Sequence, residues 1–303
     1  MGFSHHDLPG RAQELYEAQQ AALEDHGDDC DMYDVEASRI TGIYDAFSDL
    51  PDPDSFGAYT DGLLTAMSKL ATGGYETGQT EGGQTTGVAS DTLSLVAVAG
   101  DEVDDWTGQG ADEFHTWSEG WTTGISNQFA ATVALRIALN AEAAVWTGVL
   151  KDLDNLSKGA VEAMKAVTEC NGDDVKLGLS IATAVVGIAA AVPTAGASLS
   201  LVAVAGAGLG VASTGMEIYE AASEEPAEIS SCCPRCCVED VEEALGKIKT
   251  KITEGEELVI ESLQNNIDVI NGSWSEFCHP APSLGGVPRS GIHAYEGMGT
   301  YPG

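Results

Sequence analysis

Asp104-Asp105-Trp106-Thr107-Gly108-Gln109-Gly110-Ala111-Asp112-Glu113-Phe114 lies between two apolar patterns of helical period. Upstream stand Leu93, Val96, Gly100 and Val103; downstream stand Phe114, Trp117, Trp121, Ile125 and Phe129. Both series step by three or four, so each marks one face of an α-helix. The stretch between them therefore reads as the corner of a helical hairpin. Gly108 and Gly110 supply the backbone freedom a reversal needs. Trp106 offers a flat apolar plug for the end of the hairpin, Ala111 allows close helix approach, and Phe114 opens the next buried stripe.

The spacing Trp106-x-Gly108-x-x-Ala111-x-x-Phe114 resembles the Trp-x-Gly turn of type VII secretion substrates, the superfamily of small WXG proteins and of PE/PPE and EspB-like secreted proteins. The resemblance covers roughly residues 54 to 170. It implies an elongated all-α bundle, export without a cleaved leader, and the type VII secretion machinery as partner. The Tyr-x-x-x-Asp/Glu export signal of that superfamily is not matched. Tyr16, Tyr33, Tyr44, Tyr59, Tyr75 and Tyr219 each have a non-acidic residue four positions on, and His115-x-x-x-Glu119 has only a similar shape. The alternative reading of the corner is an ordinary helix–turn–helix with a buried Trp.

Composition narrows the function classes. Of 303 residues, 43% are hydrophobic but only 6% aromatic, so a sizeable core is built from Ala, Val, Leu and Ile. The formal charge of −35 repels phosphate backbones and anionic lipid, which argues against nucleic acid as a partner. The same acidity suits high salt or export. The start Met1-Gly2-Phe3-Ser4-His5-His6-Asp7 lacks a basic region followed by an apolar one, so no cleavable signal peptide is expected.

Outward from the corner the chain divides into five segments. Residues 1–53 hold two helical patterns, one over Pro9–His26 and one through Ile40, Ile43, Phe47 and Leu50 that ends at Pro51-Asp52-Pro53. Residues 54–170 hold the Trp-x-Gly hairpin. Its first helix carries Phe56, Tyr59, Leu63, Met67 and Leu70, with Asp54 or Ser55 as cap, and Gln79–Gly87 reads as a Gly/Thr/Gln loop. Its last stripe runs through Val149, Leu153, Leu156, Ala160, Met164 and Val167, with Gly120, Gly124, Gly148 and Gly159 as points of kinking or breakage.

Residues 171–223 contain Leu177–Met216, 40 residues without a charge, split by Pro193. Three readings compete for this run: a small-residue helical hairpin packed inside the bundle, a membrane-inserting hairpin, and a nucleotide site at Val204–Gly210, whose glycine spacing is wrong for a dinucleotide fingerprint. Residues 224–272 hold a Cys-rich hinge and the most regular amphipathic stripe, through Val238, Val241, Leu245, Ile248, Ile252, Val259, Leu263, Ile267 and Ile270. Residues 273–303 read as a tail whose root docks through Trp274 and Phe277.

Cys232, Cys233, Cys236 and Cys237 are four of seven cysteines. Cys233 and Cys236 have a zinc-type spacer, with Cys170, Cys278 and His279 as further ligands. Disulfides clamping two helix ends are the preferred reading, against zinc or free thiols. A redox role ranks last, because no βαβ pattern surrounds the motif. No nucleophile triad, metalloprotease helix or phosphate loop is visible, so no cofactor and no catalytic residue are expected. The leading expectation is a non-enzymatic secreted helical protein that self-associates or binds a helical partner. The alternatives are a membrane-inserting pore or toxin-delivery module using 177–216, and a cytosolic acidic scaffold adapted to high salt.

Overall fold

Leu8, Ala12, Leu15, Ala18 and Ala22 recur at helical spacing, and all five are 5% exposed or less. They form the inner face of α1, Leu8–His26. A 3-10 turn at His5–Asp7 leads in, closed by a reciprocal cap: Ser4 Oγ accepts from the His6 N–H, and Asp7 Oδ2 accepts from the Ser4 N–H at 2.8 Å. Such a box satisfies donors that a helix start otherwise leaves open. The computed structural model describes residues 3–26, 35–71, 75–80, 83–87, 90–93, 95, 109–167, 175–177, 227–231 and 233–278. Helices take 87% of the described residues, and the fold is all-α. Trp106 and Gly108, with the corner they were expected to make, lie outside the described residues.

The remaining helices are α2 (Ala37–Thr41), α3 (Phe56–Leu70), α4 (Gln109–Val167), α5 (Pro234–Gly272) and α6 (Trp274–Phe277). Two antiparallel ladders accompany them, β1 (Tyr75–Thr80) with β2 (Gly83–Gly87), and β3 (Val175–Leu177) with β4 (Ala227–Ile229). The chain forms two compact units, each drawing on three stretches: 1–57, 140–190 and 213–260 in one, and 58–139, 191–212 and 261–303 in the other.

The first unit centres on the later part of α4. Val145, Val149, Leu153, Leu156, Ala160 and Met164 are all 0% exposed. On α5, Cys237, Val238, Val241 and Ile248 are also 0% exposed. The Cys237 thiol donates to the Ala160 carbonyl at 3.6 Å, and the Glu142 carboxylate feels the charge of Glu256. Those two pairings fix α4 and α5 as antiparallel. Arg39 on α2 grips Glu242 on α5 through two hydrogen bonds of 2.8 and 2.6 Å. In the second unit a separate cluster gathers Met67 of α3 with Val133, Ile137 and Phe129 of α4.

Several expectations are corrected. Gln79–Gly87 belongs to a β-hairpin rather than a loop: Gln79 pairs with Gln84 and Thr80 with Gly83. Four β-branched threonines in Tyr75–Gly87 suit extended backbone, a signal hidden by the stretch's lack of apolar residues. Gly110 is helical, part of the first turn of α4. Gly120, Gly124, Gly148 and Gly159 do not break α4, which runs unbroken for 59 residues. An interior Gly costs only about 1 kcal/mol against Ala, which the surrounding burial outweighs. At Gly124 a Cβ would sit 3.5 Å from the Phe277 carbonyl oxygen, an ordinary packing contact.

The second helical pattern is shorter than its stripe. Gly42 closes α2 by donating to Ser38 O, and the chain continues as a 3-10 turn over Asp45–Phe47. A side chain at Gly42 would meet that carbonyl and Asp45 at 3.1 Å. Asp54 and Ser55 lie inside a 3-10 turn, Pro53–Ser55, that leads into α3, and Asp52 caps that turn by accepting from the Asp54 N–H at 3.0 Å. Leu177 is the last residue of β3. The rest of the uncharged run lies outside the described residues, as do the Glu224–Pro226 hinge and the tail beyond Cys278.

Truncating Leu156 to Ala should cost about 2–5 kcal/mol, the usual range for a leucine in a closed core, read by urea denaturation. Tyr44 supplies a converse case. It is 3% exposed, and its hydroxyl finds no hydrogen-bond partner among the described residues. Tyr44→Phe should leave stability unchanged or raise it by about 1 kcal/mol, since an unsatisfied buried hydroxyl is a cost. A loss greater than that would show that the hydroxyl is bonded in solution.

Candidate functional site

Phe114, Trp117 and Trp121 sit three and four residues apart near the start of α4, so they share one helical face. Phe114 and Trp117 have ring centroids 5.7 Å apart; Trp117 and Trp121 stack at 5.4 Å. All three are half-buried. Ring pairs at these separations contribute about 0.5–1.5 kcal/mol beyond burial, which organises the face without hiding it. Of the four residues expected at the Trp-x-Gly motif, Ala111 is placed in the first turns of α4 and Phe114 begins the aromatic face. His115 is half-buried on the same helix.

The root of the tail docks as expected through Phe277, which is 5% exposed, but not through Trp274, which is 59% exposed. Sequence reasoning missed how α6 is held. Two side-chain amides of α4 satisfy its last carbonyls: Asn127 Nδ2 donates to Glu276 O at 2.9 Å, and Gln128 Nε2 donates to Phe277 O at 2.7 Å. Open carbonyls at a helix end need such partners. No local pattern announces them, because the groups are 149 residues apart.

The cysteines are arranged differently from the expected clamp between helix ends. Cys233 and Cys236 are joined to each other across the first turn of α5, with Cα atoms 5.2 Å apart. A bond that closes so short a loop removes little chain entropy, roughly 2 kcal/mol by the loop-entropy relation. Cys237 is buried against α4. Cys278 is exposed at the end of α6. Cys232, Cys170 and His279 lie outside the described residues. Among the described residues no three His, Cys, Asp or Glu side chains gather as metal ligands.

An open cleft of about 1050 Å³ lies beside the start of α1, lined by Ser4, His6, Asp7, Arg11, Glu14, Asp154 and Lys158 among others. Its cations are already engaged. Arg11 pairs with Glu14 at 2.9 Å and reaches Asp154 at 3.8 Å, and Lys158 pairs with Asp154 at 2.6 Å. Such an internally neutralised wall offers an anionic ligand little. The Arg39–Glu242 pair holds the Glu242 carboxyl below its usual range, chiefly through the hydrogen bond from Arg39. Both side chains are more than a third exposed, so the pair contributes at most about 1 kcal/mol.

Glu142 shifts the other way. Burial raises its pKa, opposed by the 2.7 Å hydrogen bond from Trp146 Nε1 and reinforced by Glu256. A folded carboxyl with a raised pKa holds its proton longer than the unfolded chain does. Stability therefore falls as pH rises from about the unfolded value of 4.5 through the folded one. Glu142→Gln should be more stable than the parent chain at pH 7, and the gap should close as pH drops below 4.5. Thermal unfolding of both chains across pH 3.5–8 measures this, and a gap that widens on acidification would refute it.

Compared with known proteins, the chain matches no family model, and no curated protein or solved structure is found to be similar to it.

Proposed function

We propose that the chain is a non-enzymatic, secreted, self-associating helical protein whose export resembles that of type VII secretion substrates. The observation that carries this reading is the aromatic ladder Phe114–Trp117–Trp121, organised but half-exposed on α4 directly after the Trp106-x-Gly108 sequence. A helical partner would cover that face, and the rigid rings would lose little side-chain entropy on docking. Self-association is supported by Ile260 and Ile267, seven residues apart on α5 and 64% and 48% exposed. Large apolar side chains repeated on one face of a helix mark a contact surface. The net charge of −35 makes such contacts dependent on screening salt.

One observation favours a second reading, contact with a membrane. Asp112–Val167 of α4 is long and apolar enough to cross a bilayer, although 39% of its most apolar window is buried inside the protein. Dye release from zwitterionic vesicles separates the two: leakage at micromolar protein supports membrane action, and its absence leaves α4 as a packing helix.

Secretion is tested by fractionating cultures of a host with and without its secretion ATPase. The protein should appear in the supernatant only when the ATPase is present. Trp106→Ala should keep it in the cells while the far-ultraviolet spectrum of the purified variant stays unchanged. A protein found in the cytosol of both strains would overturn the export reading and favour a cytosolic acidic scaffold.

A further inference from the structure

We propose that Cys233 and Cys236 form a thiol–disulfide exchange centre, with Cys233 as the attacking sulfur and a peptide or low-molecular-weight disulfide as its substrate. This activity is independent of the export reading and replaces only its non-enzymatic component. The pair occupies the first turn of a 39-residue helix: Cys233 immediately precedes Pro234, and Cys236 lies within the turn. Both are half-exposed, so a substrate sulfur can reach them. The Cys236 N–H points at Cys233 Sγ at 3.0 Å. At a helix start that N–H has no carbonyl of its own helix to bond, and the helix dipole adds positive potential. Both favour a thiolate on Cys233, as Cys-x-x-Cys pairs at helix N-termini generally do. Activation of this kind needs a helix start, not a βαβ frame.

Two features set this bond apart from a structural staple. It spans a sequence separation of only three residues, so it constrains the unfolded chain little. The backbone on either side is held independently of it. Cys237 is fixed to Ala160 O, Val238 and Val241 are 0% exposed, and the Ser230 N–H bonds Asp240 Oδ2 at 2.8 Å. The disulfide can open and close without repacking the core around it.

The exchange balances as follows. The Cys233 thiolate attacks one sulfur of R–S–S–R′, forming a Cys233–S–S–R bond and releasing R′–S⁻, which takes a proton from water. Cys236 loses its proton to water and attacks Cys233 Sγ, forming the Cys233–Cys236 disulfide and releasing R–S⁻, which is protonated in turn. Two electrons pass from the protein dithiol to the substrate. A dithiol reductant, small or protein-borne, restores the starting state, and each step is reversible.

The test uses the full chain, reduced with dithiothreitol and desalted. Iodoacetamide is pulsed from pH 5 to 9, and each cysteine is read by tandem mass spectrometry. The exposed Cys278 is the internal control. Cys233 should reach half its maximal alkylation rate about one pH unit or more below Cys278. At pH 6 it should react about five-fold faster, after allowing for the lower nucleophilicity of a low-pKa sulfur. A Cys233 profile that coincides with that of Cys278, or lies above it, overturns the proposal. Glutathione disulfide then reads the second step. Cys236→Ser should retain glutathione on Cys233, whereas the parent chain should expel it and close the 233–236 bond. Glutathione retained on the parent Cys233, or absent from the variant, also overturns it. Because the alkylation profile is read on the unsubstituted chain, a variant that fails to fold leaves that test decisive.

Discussion

The antiparallel seam between α4 and α5 is the constraint on which the first unit rests. Neither helix could persist alone in water at such length, because isolated helices draw too little from propensity. What sustains them is the burial of their inner faces: Leu153, Leu156, Ala160 and Met164 on α4, and Cys237, Val238, Val241 and Ile248 on α5. Ala160 and Ala163 are small enough to bring the helix backbones close, and the Cys237 thiol uses that closeness to reach a main-chain carbonyl. The start of α5 is set by this seam, and with it the position of Cys233 and Cys236. The Arg39–Glu242 pair then draws α2 onto the same helix from a partner 203 residues away in sequence.

Helix existence was legible from apolar spacing, and so was the buried face of the later part of α4; the earlier stripe, expected to be buried from Phe114 onward, is half-exposed at Phe114, Trp117 and Trp121. The stripe Val149, Leu153, Leu156, Ala160, Met164, Val167 is 3% exposed or less throughout. The stripe on α5 is buried through Ile252 and at Val259 but turns outward at Ile267, since a straight helix drifts against a seven-residue repeat. The glycines of α4 misled because a glycine's local cost was weighed without the tertiary contacts that override it. The β1–β2 hairpin escaped because its signal is β-branching rather than apolar alternation. The pairing of Cys233 with Cys236 is a matter of geometry that spacing alone left open among zinc, clamp and free thiol. Asn127, Gln128 and Glu242 act on groups far away in the chain, and nothing near them in sequence marks that role.

The acid excess has a consistent physical place. Four of the described ion pairs join residues three or four apart on one helix, and Arg11 also reaches Asp154 from α1. Lys and Arg are few against 48 acidic residues, and most of the described carboxylates are exposed. Such a surface keeps the molecule dispersed and discourages contact with other acidic surfaces. Any partner must therefore bind through apolar or aromatic faces such as that of Phe114, Trp117 and Trp121, or bring its own positive charge.

The ladder of β3 and β4 has a mechanical consequence. Leu177 pairs with Ala227, Lys176 with Glu228 and Val175 with Ile229, so the chain leaves and rejoins the ladder at neighbouring residues. Tension applied to the intervening chain would load the ladder from its Leu177–Ala227 end, rung by rung, as a zipper rather than in shear. The ladder is thus a latch that yields in small steps, one pair of strand residues at a time.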